Sequence, residues 1–123
     1  MLVQPNEADY VFLMAYDEDL ADRIRELLSG EKVVEKKMFG GLAFLIGGNM
    51  SVAASGQGGL LVRHDPADTD KFVQEPGAYE FEMGGRGPMK GWLRVEDSAV
   101  KDKRALGKWV KRGVAYAKSL PAK

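Results

Sequence analysis

Chemistry in this chain would have to come from very few side chains. There is one histidine, His64, and no cysteine. Without cysteine there is no disulfide, thiolate nucleophile, iron–sulfur cluster or thiolate metal site. A single histidine also rules out paired-histidine zinc or haem motifs. None of the five serines sits in a G-x-S-x-G elbow, and His64 alone would have to serve any of them as base. At the end of the segment Leu60–His64 it reads as a hydrogen-bonded or solvated edge residue. Glu80 and Glu82 lie on one side of an alternating segment, about 7 Å apart by strand rise, a spacing that could serve acid–base work on a glycoside. The stronger reading makes them the solvent side of a strand, with Arg94 or Lys90 as cross-strand partners. The expectation is a protein with no catalytic residues, no metal site and no cofactor.

Three binding surfaces remain. The loop Gly84–Gly91 combines glycines with Arg86 and Lys90 and could cradle an anion. It is not a Walker loop, because Gly91-Trp92 and a strand follow Lys90 where Ser or Thr and a helix belong. G-x-G-x-x-G is absent, and hairpins do not fit a dinucleotide sheet. The next strand alternates: Leu93 and Val95 on one side, Lys90, Trp92 and Arg94 on the other. Ala43, Leu45, Ala53 and Leu61 can add apolar area to that second side, making it a partner or homodimer surface. The rival reading covers it with the N-terminal residues Tyr10 and Phe12. The candidate partner contacts are Arg63, Arg86, Lys90, Trp92 and Arg94. The third surface is the basic side of the last helix, with Arg104, Lys108, Lys111 and Arg112 as candidate phosphate contacts. No aromatic is interleaved with these cations, so a solvated face is the commoner meaning, and nucleic acid is not the favoured partner.

The positioning elements must fit one domain of 123 residues, 45% hydrophobic and 29% charged, an ordinary globular composition. The longest apolar run, Val11–Tyr16, is far short of the ~20 residues of a membrane span. Glu7 and Asp9 stand where a secretory signal has basic residues, so a cytoplasmic location is expected. The net charge is zero but divided. Residues 1–85 hold 7 basic and 15 acidic side chains, residues 86–123 hold 11 and 3. Either the basic third meets an acidic partner or the two parts attract each other within one fold, and the second reading is preferred.

Asp17, Glu18 and Asp19 open a helix whose Leu20, Ile24, Leu27 and Leu28 recur at helical spacing, with Asp19–Arg23 as an i,i+4 pair. Then come Val33–Phe39, which alternates weakly, Leu42–Ile46, Met50–Ala54 and Leu60–His64, a meander of three or four strands joined by Gly47-Gly48-Asn49 and Ser55–Gly59. Asp65-Pro66 starts a short helix. Tyr79–Met83 and Lys90–Val95 are two further strands. From about Asp102 a helix runs to Pro121 with the stripe Leu106, Val110, Gly113, Ala117 and Leu120. The order α-β-β-β-α-β-β-α with short turns predicts a two-layer α+β domain, an antiparallel sheet with helices on one face.

The motifs Met38–Phe44, Gly48-Asn49-Met50, Leu61-Val62-Arg63, Pro88–Trp92, Trp109–Gly113 and Ser119-Leu120-Pro121 resemble, in the same order, the N-terminal domain of the TfoX/Sxy family. The resemblance runs from about Met14 to Lys123. It implies the same α+β architecture and a bacterial source, and it supplies no catalytic residues. Longer family members pair this domain with a C-terminal helical domain and resemble regulators of natural competence that act with transcription machinery. This chain would be the first domain alone. Gly87 separates Arg86 from Pro88, where the family loop runs Gly-Arg-Pro-Met. Residues 1–13 fall outside the pattern, as an extension or irregular lead-in to a single domain 14–123.

Overall fold

A computed structural model describes residues 16–38, 40–82 and 87–123. Asp17 caps α1 (Glu18–Leu27), its carboxylate accepting from the N–H groups of Asp19 at 2.9 Å and Leu20 at 3.2 Å. Those donors have no intrahelical acceptor, so the cap fixes where the helix starts. Leu20, Ala21 and Ile24 are buried along one side. Arg23 does not make the expected pair with Asp19. Its guanidinium donates to the carbonyls of Val100 and Lys101, each at 2.8 Å. Two carbonyls at the end of a 3₁₀ turn offer fixed acceptors that an exposed, mobile carboxylate does not.

Four strands follow as a meander: β1 (Val34–Met38), β2 (Gly41–Ile46), β3 (Asn49–Ala54) and β4 (Leu60–Arg63). The weakly alternating segment is the outer strand of the four. Gly47 and Gly48 join β2 to β3 with φ of 61° and 82°, the left-handed pair whose twist matches a two-residue hairpin. Asp65 accepts from the Ala67 N–H at 2.9 Å and starts a 3₁₀ turn, Pro66–Asp68, that continues into α2 (Thr69–Phe72). The chain then forms β5 (Ala78–Glu82), β6 (Pro88–Val95), a 3₁₀ turn Asp97–Val100 and α3 (Lys103–Ser119). Asp102 caps α3 by accepting from the Ala105 N–H at 2.7 Å.

The strand order is β1-β2-β3-β4-β6-β5, with every neighbouring pair antiparallel. After β4 the chain crosses to the far edge as β5 and returns as β6 between them. Facing residues share one side of a sheet, so the register Leu61↔Arg94 and Arg63↔Trp92 puts these four together.

The two sides have different fillings. On one, Leu42, Phe44, Val52, Leu60, Val62, Leu93 and Val95 pack under Leu20 and Ile24 of α1 and Leu106, Trp109, Val110 and Ala117 of α3. This is the core of a two-layer α+β domain with the helices on one face. On the other, Ala43, Met50, Ala53, Leu61 and Phe81 form a second buried cluster, flanked by Met38, Leu45, Met89 and Trp92. No residue of α1, α2 or α3 belongs to it. Among the described residues, no helix is long and apolar enough to cross a membrane.

Candidate functional site

The second face of the sheet gathers Arg63, Trp92 and Arg94, three of the five candidate partner contacts. Trp92 and Arg94 lie on it, half-buried, as their strand alternation requires. Lys90 does not follow the same alternation. Gly91 takes φ of 84°, and across this left-handed residue the side-chain pattern slips. Met89 packs with Trp92 in the second cluster, and Lys90 is exposed to solvent. A one-residue irregularity is enough to exchange the faces.

Arg63 reaches Trp92 from the neighbouring strand, its guanidinium carbon 5.3 Å from the indole centroid and 5.7 Å from the Tyr116 ring of α3. Such cation–π geometry fixes both the charge and the ring. Arg94 organises the turn between β3 and β4. It donates to Tyr79 Oη at 3.2 Å, Ser55 Oγ at 3.1 Å, Gln57 Oε1 at 3.0 Å and the Gly58 carbonyl at 2.7 Å. None of these partners is ionised, so its charge is solvated by dipoles and not cancelled. Arg94 is therefore not the ion-pair partner of Glu80 or Glu82. Both glutamates are exposed, and Glu80 faces Leu93 in the register. Arg86, with Gly84 and Gly85 of the same loop, lies outside the described residues, and Pro88–Gly91 belong to β6.

Beside Arg94 a cleft of about 250 Å³ crosses the second face, with Met38, Ala53, Leu61 and Phe81 as apolar lining and Ser55, Gln57, Glu82 and Arg94 as polar groups. Sequence reasoning singled out Arg94, Ala53 and Leu61 but not Met38, Ser55, Gln57, Phe81 or Glu82 as one set. Alternation placed Phe81 opposite both Glu80 and Glu82, but the pairing of β5 slips between the two glutamates, so Glu82 lines the cleft with Phe81 while Glu80 faces Leu93. Alternation could not say which strands would flank Phe81.

The cations of α3 are mostly engaged inside the molecule. Lys108 Nζ lies 2.6 Å from Glu75 Oε1, and Arg112 Nη1 lies 2.8 Å from Glu75 Oε2. Burial would raise the Glu75 carboxyl, but its two cationic partners outweigh that and hold it below its ordinary value. Arg112 also stacks 4.3 Å from the Phe72 centroid and 4.6 Å from that of Trp109. Lys118 meets Glu31 at 2.8 Å and Lys103 meets Glu26 at 3.5 Å. Every acid in these pairs comes from the acidic part of the chain, so the charge division closes on itself. Arg104 and Lys111 have no ion-pair partner among the described residues.

His64 is 1% exposed, a buried residue rather than a solvated edge. Its Nε2 lies 2.7 Å from Thr69 Oγ1, and its ring packs 5.6 Å from Phe72. Burial pushes its pKa below the ordinary 6.5. The unfolded chain therefore takes up a proton near pH 6.5 that the folded chain refuses, and stability falls as pH drops below that value. Between pH 8 and 5 the urea midpoint of the wild type is expected to fall, and that of His64→Gln to fall less. Equal slopes would show that His64 titrates alike in both states. Glu75 and Glu35 add a second loss at lower pH, since Glu75 is held down by Lys108 and Arg112, and Glu35 by Arg25.

Among the described residues, no three His, Cys, Asp or Glu side chains converge in a metal-binding group. His64 and the exposed Glu80 and Glu82 do not meet in one cleft. The arrangement is thus an apolar, cation-bearing sheet face with a cleft, on a domain whose last helix has four of its six cations in ion pairs. No curated protein and no solved structure matches the chain. The family model described as the TfoX N-terminal domain matches residues 25–117, from within α1 almost to the end of α3. The chain belongs to the TfoX N-terminal domain family.

Proposed function

We propose that this domain is a non-catalytic protein-interaction module that receives its partner on the second face of the sheet. The observation that supports the reading is the pairing of an apolar cleft with Arg94, whose charge meets dipoles and no described carboxylate. Half-buried Trp92 beside it supplies the large amphipathic contact that interaction surfaces favour. Family membership supports a regulatory setting, in which a bacterial, cytoplasmic protein of this kind acts on competence or transcription through contact with other proteins. Nucleic acid is the weaker partner. Arg63 already covers the Trp92 ring, Phe81 is buried, and the α3 cations are largely paired. On α3 only Arg104 and Lys111 are left outside ion pairs among the described residues, a small set for phosphate contacts.

The test is quantitative affinity capture from extracts of the source organism with three baits: wild type, Trp92→Ala and Lys111→Glu. A partner held by wild type and Lys111→Glu but lost by Trp92→Ala, with the unfolding midpoint little changed, is the expected result. Identical capture by all three baits would remove Trp92 from the interface. Loss only in Lys111→Glu, weakening steeply with salt, would move the function to α3 and to a polyanion.

A further inference from the structure

The sheet ends in two open strands of opposite charge. In the order β1-β2-β3-β4-β6-β5, β1 pairs only with β2 and β5 only with β6 among the described residues. The outer side of each edge therefore presents backbone N–H and C=O groups that no ladder engages. Both edges are five residues long, Val34–Met38 and Ala78–Glu82. The large hydrophobic side chains left in solvent among the described residues, Val34 and Tyr79, stand one on each of them.

The exposed charges of the two edges are complementary. Lys36 and Lys37 of β1 and Glu80 and Glu82 of β5 have no ion-pair partner among the described residues. Glu35, the acid of β1, is already neutralised by a forked contact with Arg25 at 2.7 and 2.9 Å. Edge charges guard a strand against pairing with its own kind, and two β1 edges or two β5 edges would set like charges against each other. One edge of each kind would not.

Strand direction and sidedness favour the same pairing. Every neighbouring pair in the six-stranded sheet is antiparallel, so its two outermost strands run in opposite directions. A second copy set beside the first in the same orientation continues the antiparallel sheet, with its helices on the same side. Lys37 faces Leu42 and Glu80 faces Leu93, both residues of the helix-covered core. Lys36 faces Ala43 of the second cluster, and Glu82 lines the cleft on that face. With Lys37 opposite Glu80, Lys36 comes within one residue of Glu82, and each lysine meets an acid on its own side of the sheet.

We propose that a second copy of this chain docks edge to edge, β5 of one molecule adding to β1 of the next. The contact is separate from the partner surface above, which occupies the face of the sheet and leaves its edges free. It is heterologous: each added molecule leaves one edge of either kind open, so assembly grows head to tail into a ring or a filament and does not stop at a dimer.

Sedimentation velocity of the full chain tests this. At low salt the weight-average mass of the wild type is expected to rise with concentration beyond that of a dimer, and to fall toward the monomer as salt is added. Lys36→Glu with Lys37→Glu, and Glu80→Lys with Glu82→Lys, should each leave a monomer with unchanged circular dichroism. An equal mixture of the two variants restores opposite charges across the contact and should associate again, as should the chain carrying all four reversals. A wild type that stays monomeric at every concentration would overturn the proposal and leave these charges as guards. So would edge variants that associate as the wild type does, assembly that ends at a dimer, or a mixture and a fourfold reversal that both stay monomeric. Association lost in Trp92→Ala but kept in both edge variants would place the contact on the second face and equally overturn it.

Discussion

Replacing Trp109 by alanine is expected to destabilise the domain by about 3–5 kcal/mol, the range for emptying a buried aromatic site. Trp109 is 1% exposed and fully buried between α3 and the sheet. Its ring meets Phe72 edge-on, with centroids 5.7 Å apart and planes at 81°. Its faces carry cations as well, with Arg112 at 4.6 Å and Lys108 at 5.6 Å. Truncation therefore opens a cavity and also loosens the Glu75 cluster that joins α3 to the segment after α2. Urea unfolding reads the loss, and Val34→Ala at a 66% exposed position is the control, expected within about 0.5 kcal/mol of wild type. A Trp109→Ala midpoint indistinguishable from that control would mean that α3 is not docked through this ring.

The second prediction opposes two identical substitutions on one helix. At Gly113 an added Cβ would stand 2.4 Å from the Ser51 carbonyl oxygen, 2.7 Å from Val52 Cγ1 and 3.0 Å from the Ser51 carbonyl carbon. The strand cannot easily yield, because Ser51 is fully buried and its hydroxyl donates to the Phe44 carbonyl at 2.8 Å. α3 must then lift from β3, and overpacking of this kind costs about 1–3 kcal/mol, outweighing the gain of about 1 kcal/mol from helix propensity. At Gly107 the nearest atom is Leu27 Cδ2 at 3.8 Å, an ordinary contact. Gly107→Ala is expected to keep the propensity gain and raise the melting temperature, while Gly113→Ala lowers it. Shifts of the same sign would show that the close approach of α3 to β3 is not a constraint on Gly113.

Glycine at position 113 illustrates how differently the layers of this protein are encoded. Read along the chain, Gly113 simply falls within the apolar stripe of the last helix, and local periodicity needs no more. The same is true of the caps Asp17, Asp65 and Asp102, of the left-handed pair Gly47-Gly48, and of the central strand Leu42–Ile46. Each depends on residues a few positions apart, so sequence alone determined the elements, the α+β class and the sidedness of the sheet. The linked motifs likewise determined the family.

The candidate site was only half legible, because its parts are distant in sequence and joined by pairing. Alternation put Trp92 and Arg94 on one face, but it also put Lys90 there, and the left-handed turn at Gly91 gave the place to Met89. Arg94 had a glutamate as its expected partner. The register instead brought it beside Leu61 and Tyr79, within reach of Ser55, Gln57 and Gly58. The charge division was visible as a count. That Lys108 and Arg112 converge on Glu75 required α3 to cross back over the turn that follows α2. Sequence determined which side chains were available and which way each element turned its face. Tertiary structure decided their company, because inserting β6 between β4 and β5 is a long-range choice that no local periodicity records.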